Sequence, residues 1–242
     1  MPVLHVITHK DEVVPDRLTG KVAVVFDVLF ATSTIVTALA HGAEVVIPAM
    51  DERAARLKAQ GQPDHHYLLA GEKNAELIGG FAPFSPLALS REQIKGQRVI
   101  YSTTNGTVAL QQCRRATHVF AAALLNGAST ANHLCRQHAS RDILLVCSGS
   151  IGRFNLEDFL GAGHLVQALT NHPTARWSLT DSAVAAQELY RNADIPELLK
   201  QCRVGRMLTQ MGLAAEISYS AQVDALDIVC ELREHGIIGV AP

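Results

Sequence analysis

One stretch constrains the fold of this chain more than any other: an apolar segment that runs directly into an acid and a set of hydroxyls. Residues 22–26 are apolar and mostly β-branched, a pattern typical of a buried strand. Asp27 follows, and a hydroxyl triplet opens a helical segment that ends at Gly42: Thr32, Ser33 and Thr34. A carboxylate suits a hard metal ion and a helix N-terminus suits an anion, but a strand-end acid and a helix cap explain this stretch equally well.

Strand and helix patterns alternate along most of the chain, which predicts an α/β fold with a largely parallel or mixed sheet and helices on both faces. The segment from residue 25 resembles the segment from residue 100, because each reads strand, hydroxyl-rich loop, short helix, strand. A third such loop spans 148–153. Because ligands of α/β sheets bind at the carboxyl ends of strands, we expect the three loops to share one edge.

The chain of 242 residues can form a sizeable core, and we expect one domain over 1–242, with two lobes of about 1–95 and 96–242 as the alternative. Asp51 is predicted to cap a helix that ends at Gly61. A short strand over 66–69 is predicted to lead into a loop at 70–74. Residues 79–90 read as an irregular loop, long enough for a lid or a substrate-facing wall.

The composition and net charge of the chain limit the kinds of partner that it can bind. Hydrophobic residues make up 48% and charged residues 18% of the chain, which is ordinary globular usage. The net charge of −2 gives no general attraction for nucleic acid or an anionic membrane, so any anion site must be local. We expect a small-molecule ligand, no nucleic acid, no membrane, and a homodimer as one possible assembly.

Cysteine usage and the N-terminus indicate the compartment. The five cysteines are odd in number, widely spaced and form no CxxC, as expected of reduced thiols in a cytosolic protein. The sequence shows no signal-peptide pattern, and no apolar run approaches the roughly 20 residues of a membrane helix. We therefore expect a soluble cytoplasmic protein.

Four acids fall on or near the predicted loop edge: Asp27, Glu72, Glu157 and Asp158. Two or three of them could hold Mg²⁺, with waters completing its octahedron. Glu157 and Asp158 are adjacent, so only one need face the site and the other can be an ordinary acid of a first helical turn. Zinc is disfavoured because the 11 histidines form no HxH or HExxH spacing.

The same edge carries groups that could bind an anion. N–H and hydroxyl donors come from Thr32, Ser33, Thr34, Asn74, Thr103, Thr104, Asn105, Gly106, Thr107, Ser148 and Gly149. Lys73 and Arg153 add positive charge, although Lys73 can equally be a solvated loop residue. Acid-held magnesium beside an anion cradle is the equipment of phosphoryl transfer, and we expect Asp27, Lys73 and Arg153 to act in it.

Competing phosphate motifs are missing. The sequence contains no GxxxxGK[ST] and no GxGxxG, which excludes the usual nucleotide-binding loops. The segment from Asp27 is superficially close to the haloacid dehalogenase signature DxDx[TV], but Leu29 stands where its second Asp belongs.

Five segments together resemble the 2-phosphosulfolactate phosphatase (ComB) family, in its order and spacing, over about residues 20–165. They are Asp27-Val-Leu-Phe-Ala-Thr-Ser-Thr34, Ala70-Gly-Glu-Lys-Asn74, Gly80-Phe81 with Ser85-Pro86, Ser102-Thr-Thr-Asn-Gly-Thr107, and Gly152-Arg-Phe-Asn-Leu-Glu-Asp-Phe159. The resemblance implies a Mg²⁺-dependent hydrolase that converts 2-phospho-3-sulfolactate to 3-sulfolactate and phosphate, as in coenzyme M biosynthesis. Whether Asp27 or a metal-bound water attacks phosphorus is left open.

Three positions depart from the family pattern. Phe30 stands where arginine is expected, Phe84 where asparagine is expected, and Val204 where histidine is expected before Gly205. Loss of a bidentate cation and of polar contacts shifts the site toward a less charged ligand. Two alternatives therefore stand beside the family activity: a phosphatase for another small organic phosphate, and a non-catalytic protein that binds an anion or metabolite.

Overall fold

The computed structural model describes residues 1–60, 66–174 and 176–241. Its strands are β1 Val3–Ile7, β2 Val22–Phe26, β3 Val45–Ala49, β4 Tyr67–Lys73, β5 Glu76–Leu77, β6 Arg98–Ser102, β7 His118–Ala122, β8 Ile143–Cys147, β9 Ser178–Leu179, β10 Val229–Arg233 and β11 Gly236–Val240. Its helices are α1 Ala31–Ala40, α2 Glu52–Ala59, α3 Pro86–Leu89, α4 Gly106–Gln112, α5 Gly127–Gln137, α6 Leu156–Asn171, α7 Asp181–Asn192, α8 Ile195–Gln201, α9 Arg203–Gln210 and α10 Ala214–Ser220.

All of these strands join one sheet, in the order β5-β4-β6-β3-β11-β10-β7-β2-β8-β1-β9. Alternation along β2 separates its two faces, because successive side chains of a strand point in opposite directions. Val22, Val24 and Phe26 pack in a core with apolar residues of α6 and α7, whereas Ala23 and Val25 pack in a second core with α1. The predicted α/β class, with a mixed sheet and helices on both faces, is confirmed.

The sheet contains two sets of parallel strands. β7, β2, β8, β1 and β9 form one set, and β4, β6 and β3 form the other. The hairpin of β10 and β11 joins them through three antiparallel pairings, so the two sets run in opposite directions. The single edge expected from the sequence is therefore wrong as a description of the topology, since the carboxyl ends of β2 and β6 belong to opposed sets.

Two similar units nevertheless bring these ends together. The unit β2-α1-β3 starts in the first set and ends in the second, and the unit β6-α4-β7 does the reverse. Neighbouring strands of a sheet ordinarily twist by about 20–25° relative to each other, and five such steps separate β2 from β6. The starts of α1 and α4 meet so closely that a Cβ built on Gly106 would lie 2.4 Å from the Cβ of Ala31.

Helix α1 is buried along nearly its whole length, residues 31–39, because it contacts strands of both sets and the hairpin between them. This explains an apolar helix with little polar face: it has almost no surface to expose. The internal similarity seen in the sequence corresponds to the two units, and it places their hydroxyl-rich loops at one point of the molecule.

Several local predictions have clear outcomes. The Asp51 cap is confirmed, since its Oδ1 accepts a hydrogen bond of 2.7 Å from the Ala54 N–H, while the predicted stop at Gly61 lies outside the described residues. β4 continues to Lys73, so Glu72 lies on a strand and not in a loop. The irregular segment 79–90 contains the short helix α3. From Asp181 the chain forms the helices α7 to α10 and then the strands β10 and β11.

No helix of the described part of the chain is both long and apolar enough to cross a membrane.

Candidate active site

A cavity of about 230 Å³ opens where the loops after β2, β4, β6 and β8 meet the start of α9. Its polar lining consists of Asp27, Glu72, Asn74, Tyr101, Thr103, Thr104, Asn105, Ser150, Asn155 and Arg203. Its apolar lining consists of Leu29, Phe30, Ala31, Ala75, Phe84, Ile151, Val204, Met207 and Leu208. The structure therefore gathers at one cavity segments that are far apart in the sequence.

Asp27 lies at the floor of the cavity and is nearly buried. The Thr32 hydroxyl accepts a 2.9 Å hydrogen bond from the Asp27 N–H, and the Ala31 N–H donates at 3.4 Å to Asp27 Oδ1. Burial, reinforced by the charges of Glu72 and Glu157, raises the pKa of Asp27 to about 7, against an opposing effect of Lys10. A cation bound beside this carboxylate would relieve the cost of charging it.

Glu72 joins the end of β4 to the loop after β6. Its Oε1 accepts from the Thr104 N–H at 2.6 Å, and its Oε2 accepts from the Thr104 hydroxyl at 3.0 Å and the Ala75 N–H at 2.7 Å. Asn74 and Ala75 both have positive φ, at 55° and 65°, which fits the tight turn that folds under the carboxylate. Three donors therefore fix Glu72 at the cavity.

Glu157 and Asp158 lie behind the cavity wall and are buried. Asp158 holds two loops together, because it accepts from the Val28 N–H at 2.9 Å and from the Gly149 N–H at 3.1 Å. Burial, then the charges of Asp27 and Glu157, raise its pKa. Glu157 Oε1 is buried without a hydrogen-bond partner, and burial also raises the pKa of Glu157.

Two cationic residues near the site, Lys10 and Arg203, were not predicted from the sequence. The buried Lys10 amine donates to Asn105 Oδ1 and to the Ser148 carbonyl, each at 3.1 Å. Arg203 lines the cavity and donates through Nη2 to Asn155 Oδ1 at 2.7 Å and to the Ser150 hydroxyl. Lys10 follows the end of a strand, a position that could have identified it, whereas Arg203 lies in a helical region without any such signal.

The predicted cations occupy other places. Lys73 and Arg153 are exposed, and neither lines this cavity. Lys73 lies instead beside a neighbouring depression, together with Asp51, Arg53 and Glu72. Their predicted catalytic roles stay predictions, whereas Arg203 shares the cavity lining with Asp27.

The predicted anion donors divide into two groups. Asn74, Thr103, Thr104 and Asn105 line the cavity. Two hydroxyls outside the cavity lining are used inside the protein: Ser33 donates to the Val28 carbonyl at 2.8 Å, and Thr107 donates to the Thr103 carbonyl at 2.9 Å. Thr34 donates to the Phe84 carbonyl, as described below.

Glycines and one serine complete this set. A Cβ on Gly106 would lie 2.7 Å from Asp27 Oδ2, and one on Gly149 would lie 2.0 Å from the His9 ring, so both loops need glycine for close approach. The buried Ser148 hydroxyl has no hydrogen-bond partner. Of these residues only Gly106 directly touches the acid at the cavity floor.

The donor set fits a magnesium ion that is shared with a ligand. Mg²⁺ is commonly held by one or two carboxylates, with waters and substrate phosphate completing its shell, and Asp27 and Glu72 supply two such groups at the cavity. Across residues 1–60, 66–174 and 176–241, no three His, Cys, Asp or Glu side chains are arranged to hold a metal by themselves. A closed protein cage is therefore not what these residues form.

A mixed α/β sheet whose strand ends place carboxylates, hydroxyls and a guanidinium around a small cavity defines a class of protein that handles small molecules. The family model for 2-phosphosulpholactate phosphatase matches residues 7–235 of the chain. The chain therefore belongs to this family, whose name describes phosphoric monoester hydrolases, and the resemblance seen in the sequence is confirmed.

Relatives align over nearly their whole length. A protein of Gloeobacter violaceus is 39% identical over 237 residues, which cover 97% of this chain and 96% of the relative. One of Clostridium perfringens (strain SM101 / Type A) is 37% identical over 237 residues, covering 95% and 93%. One of Symbiobacterium thermophilum is 35% identical over 226 residues, covering 92% and 96%. Each is named a probable 2-phosphosulfolactate phosphatase.

Proposed function

We propose that this protein is a Mg²⁺-dependent phosphatase that hydrolyses a 2-phosphosulfolactate-type monoester to the 2-hydroxy acid and phosphate. With the family substrate, the products are 3-sulfolactate and phosphate, as in coenzyme M biosynthesis. The observation that carries the proposal is the meeting of Asp27 and Glu72 with the loop 103–105 at one cavity, in a chain of this family.

Asp27 and Glu72 are the residues that would hold Mg²⁺, and the bound ion would neutralise charge on the phosphoryl oxygens. Thr103, Thr104 and Asn105 line the cavity and would orient the phosphate. Arg203, held by Asn155, adds a cation to the lining of the same cavity. Phosphoryl transfer depends mainly on such positioning and charge neutralisation. The attacking group is either Asp27 or a water that Asp27 orients.

The compartment is part of the same proposal. All five cysteines are buried free thiols, which supports a reducing, cytoplasmic location.

Asp27→Asn and Glu72→Gln test the site directly. We expect each to reduce Mg²⁺-dependent phosphate release at least about a hundredfold, because each removes a charge that the cation would neutralise. Release is measured from 2-phosphosulfolactate and a panel of small monoesters, with Mg²⁺ or with chelator. Asp181→Asn and Glu76→Gln are matched controls, because both side chains are exposed and lie outside the cavity lining. Full Mg²⁺-dependent turnover by Asp27→Asn would contradict the assignment.

A second candidate is a non-catalytic protein that binds an anionic metabolite. It is favoured by the hydroxyls of Ser33, Thr34 and Thr107, which are already engaged within the protein. A binding protein would show ligand-dependent melting without phosphate release from any ester, whereas the phosphatase loses turnover when Mg²⁺ is chelated.

A further inference from the structure

One wall of the cavity is apolar and is built from three separate parts of the chain. Leu29 and Phe30 come from the loop after β2, Phe84 precedes α3, and Val204 and Leu208 lie on α9. The rings of Phe30 and Phe84 have centroids 6.5 Å apart and are tilted by 41°. Phe30, Phe84 and Val204, the three positions that depart from the family pattern, thus line the same cavity wall. Phe30 and Val204 are 174 positions apart in the sequence.

Hydrogen bonds hold this wall in place. The Phe84 carbonyl accepts from the Thr34 hydroxyl at 2.8 Å and from the Tyr101 hydroxyl at 2.6 Å. Two hydroxyls next to the wall are therefore committed to the Phe84 backbone. They position an aromatic ring and do not offer their protons to a ligand.

The charge around the cavity is unfavourable for a ligand with several strong anions. Within the described part of the chain, the charged residues of the lining are Asp27, Glu72 and Arg203. Arg203 already donates to Asn155 and Ser150. A cation at the two acids would serve the phosphate, which leaves one guanidinium for any further anionic group. A sulfonate against Phe30 and Phe84 would lose its water and gain no partner on that wall.

We propose that the substrate is a phosphate monoester whose carbon skeleton carries an uncharged apolar group where the family substrate carries its sulfonate. This group packs on Leu29, Phe30, Phe84, Val204 and Leu208, while the phosphate lies at the acidic and hydroxyl-bearing side. The preference for apolar over sulfonated ligands rests on the cavity itself, and the term substrate rests on the phosphatase activity proposed above.

A series of 2-phosphooxy carboxylates that differ in one substituent tests the wall. The substituents are methyl, isobutyl, benzyl and sulfonatomethyl, the last being 2-phosphosulfolactate. We expect kcat/KM for the isobutyl or benzyl ester to exceed that for the sulfonatomethyl ester by about tenfold or more, the scale at which an apolar pocket discriminates small groups.

Variants locate the effect on the wall. Phe84→Ala should reduce kcat/KM for the best apolar ester about tenfold and change the methyl ester much less, and Phe84→Leu should act in the same direction with less disturbance of packing. Phe154→Ala is the matched control, since this half-exposed ring packs on Phe159 and does not line the cavity. The control should leave the order of the esters unchanged.

Binding of the 2-hydroxy acid products, measured by calorimetry with Mg²⁺ and inorganic phosphate present, separates the two proposals. Suppose that the apolar acids bind more tightly than 3-sulfolactate and that no ester is hydrolysed. This result would overturn the phosphatase proposal and support the proposed preference of the wall for an apolar group. Equal or tighter binding of 3-sulfolactate would overturn the wall, whichever ester is hydrolysed. The apolar preference would also be overturned if none of the acids binds. It would be overturned likewise if wild type and both Phe84 variants all hydrolyse the sulfonated ester fastest.

Discussion

Lys10 is a buried cation that acts on the site through other residues. Its amine contacts Asn105 and the Ser148 carbonyl, and its charge opposes the raised pKa of Asp27. A lysine buried in this way persists because it satisfies polar groups that would otherwise be orphaned. It couples the loops after β1, β6 and β8, and so it fixes the geometry of residues that face the ligand.

Lys10→Met should lower kcat/KM about 10–100-fold, the usual loss when a group that orients a site from behind is removed. The variant should also move the acidic limb of the pH–rate profile upward, because the charge that lowers the pKa of Asp27 is gone. Lys10→Arg should restore part of the activity, and the exposed Lys200→Met is the control. An unchanged pH profile would show that Lys10 serves stability alone.

At the scale of elements, the starts of α1 and α4 face each other across Asp27. Gly106 makes this possible, since any Cβ there would meet Ala31 and Asp27 at less than 3 Å. The helix starts bring free N–H groups to the acid, and the Ala31 N–H contact with Asp27 is one result. The glycine therefore has a packing role that is separate from its common role in turns.

Gly106→Ala should destabilise the protein by about 1–3 kcal/mol, because a methyl group is forced into a filled space. It should also reduce activity strongly, since the strain falls on the Asp27 carboxylate. Thermal unfolding and phosphate release measure the two effects. Gly79→Ala is the control, because a Cβ there meets nothing within 4 Å. Wild-type activity in Gly106→Ala would exclude the close approach as a requirement.

At the scale of the molecule, most strands of the sheet pair with strands that are distant in the sequence. β2 pairs with β7 and β8, β3 pairs with β6, and the hairpin of β10 and β11 joins the two parallel sets. On the side of the hairpin lies a histidine cluster, in which the ring centroid of His138 is 4.2 Å from that of His118 and 5.7 Å from that of His133. This packing ties the stability of the sheet to pH.

Burial, with the neighbouring His118 and His133, lowers the pKa of His138 to about 4. The unfolded chain binds this proton near the ordinary value of 6.5, so the protein loses stability as the pH falls from about 6.5 toward 4. His138→Gln should flatten this part of the profile. Urea unfolding at several pH values measures it, with the exposed His235→Gln as control. Parallel profiles for wild type and His138→Gln would contradict the prediction.

The sequence by itself determined the α/β class, most of the strands and helices, the repeated unit, and Asp27 and Glu72 as cavity acids, because these follow from local periodicity, capping and strand-end position. Only the tertiary structure decided that the two parallel sets are opposed, that Lys10 and Arg203 reach the site, and that Lys73 and Arg153 lie outside the cavity lining. It also brought Phe30, Phe84 and Val204 onto one wall. The physical reason is that strand direction and long-range pairing depend on how distant segments pack against each other. The local pattern of residues does not encode this packing.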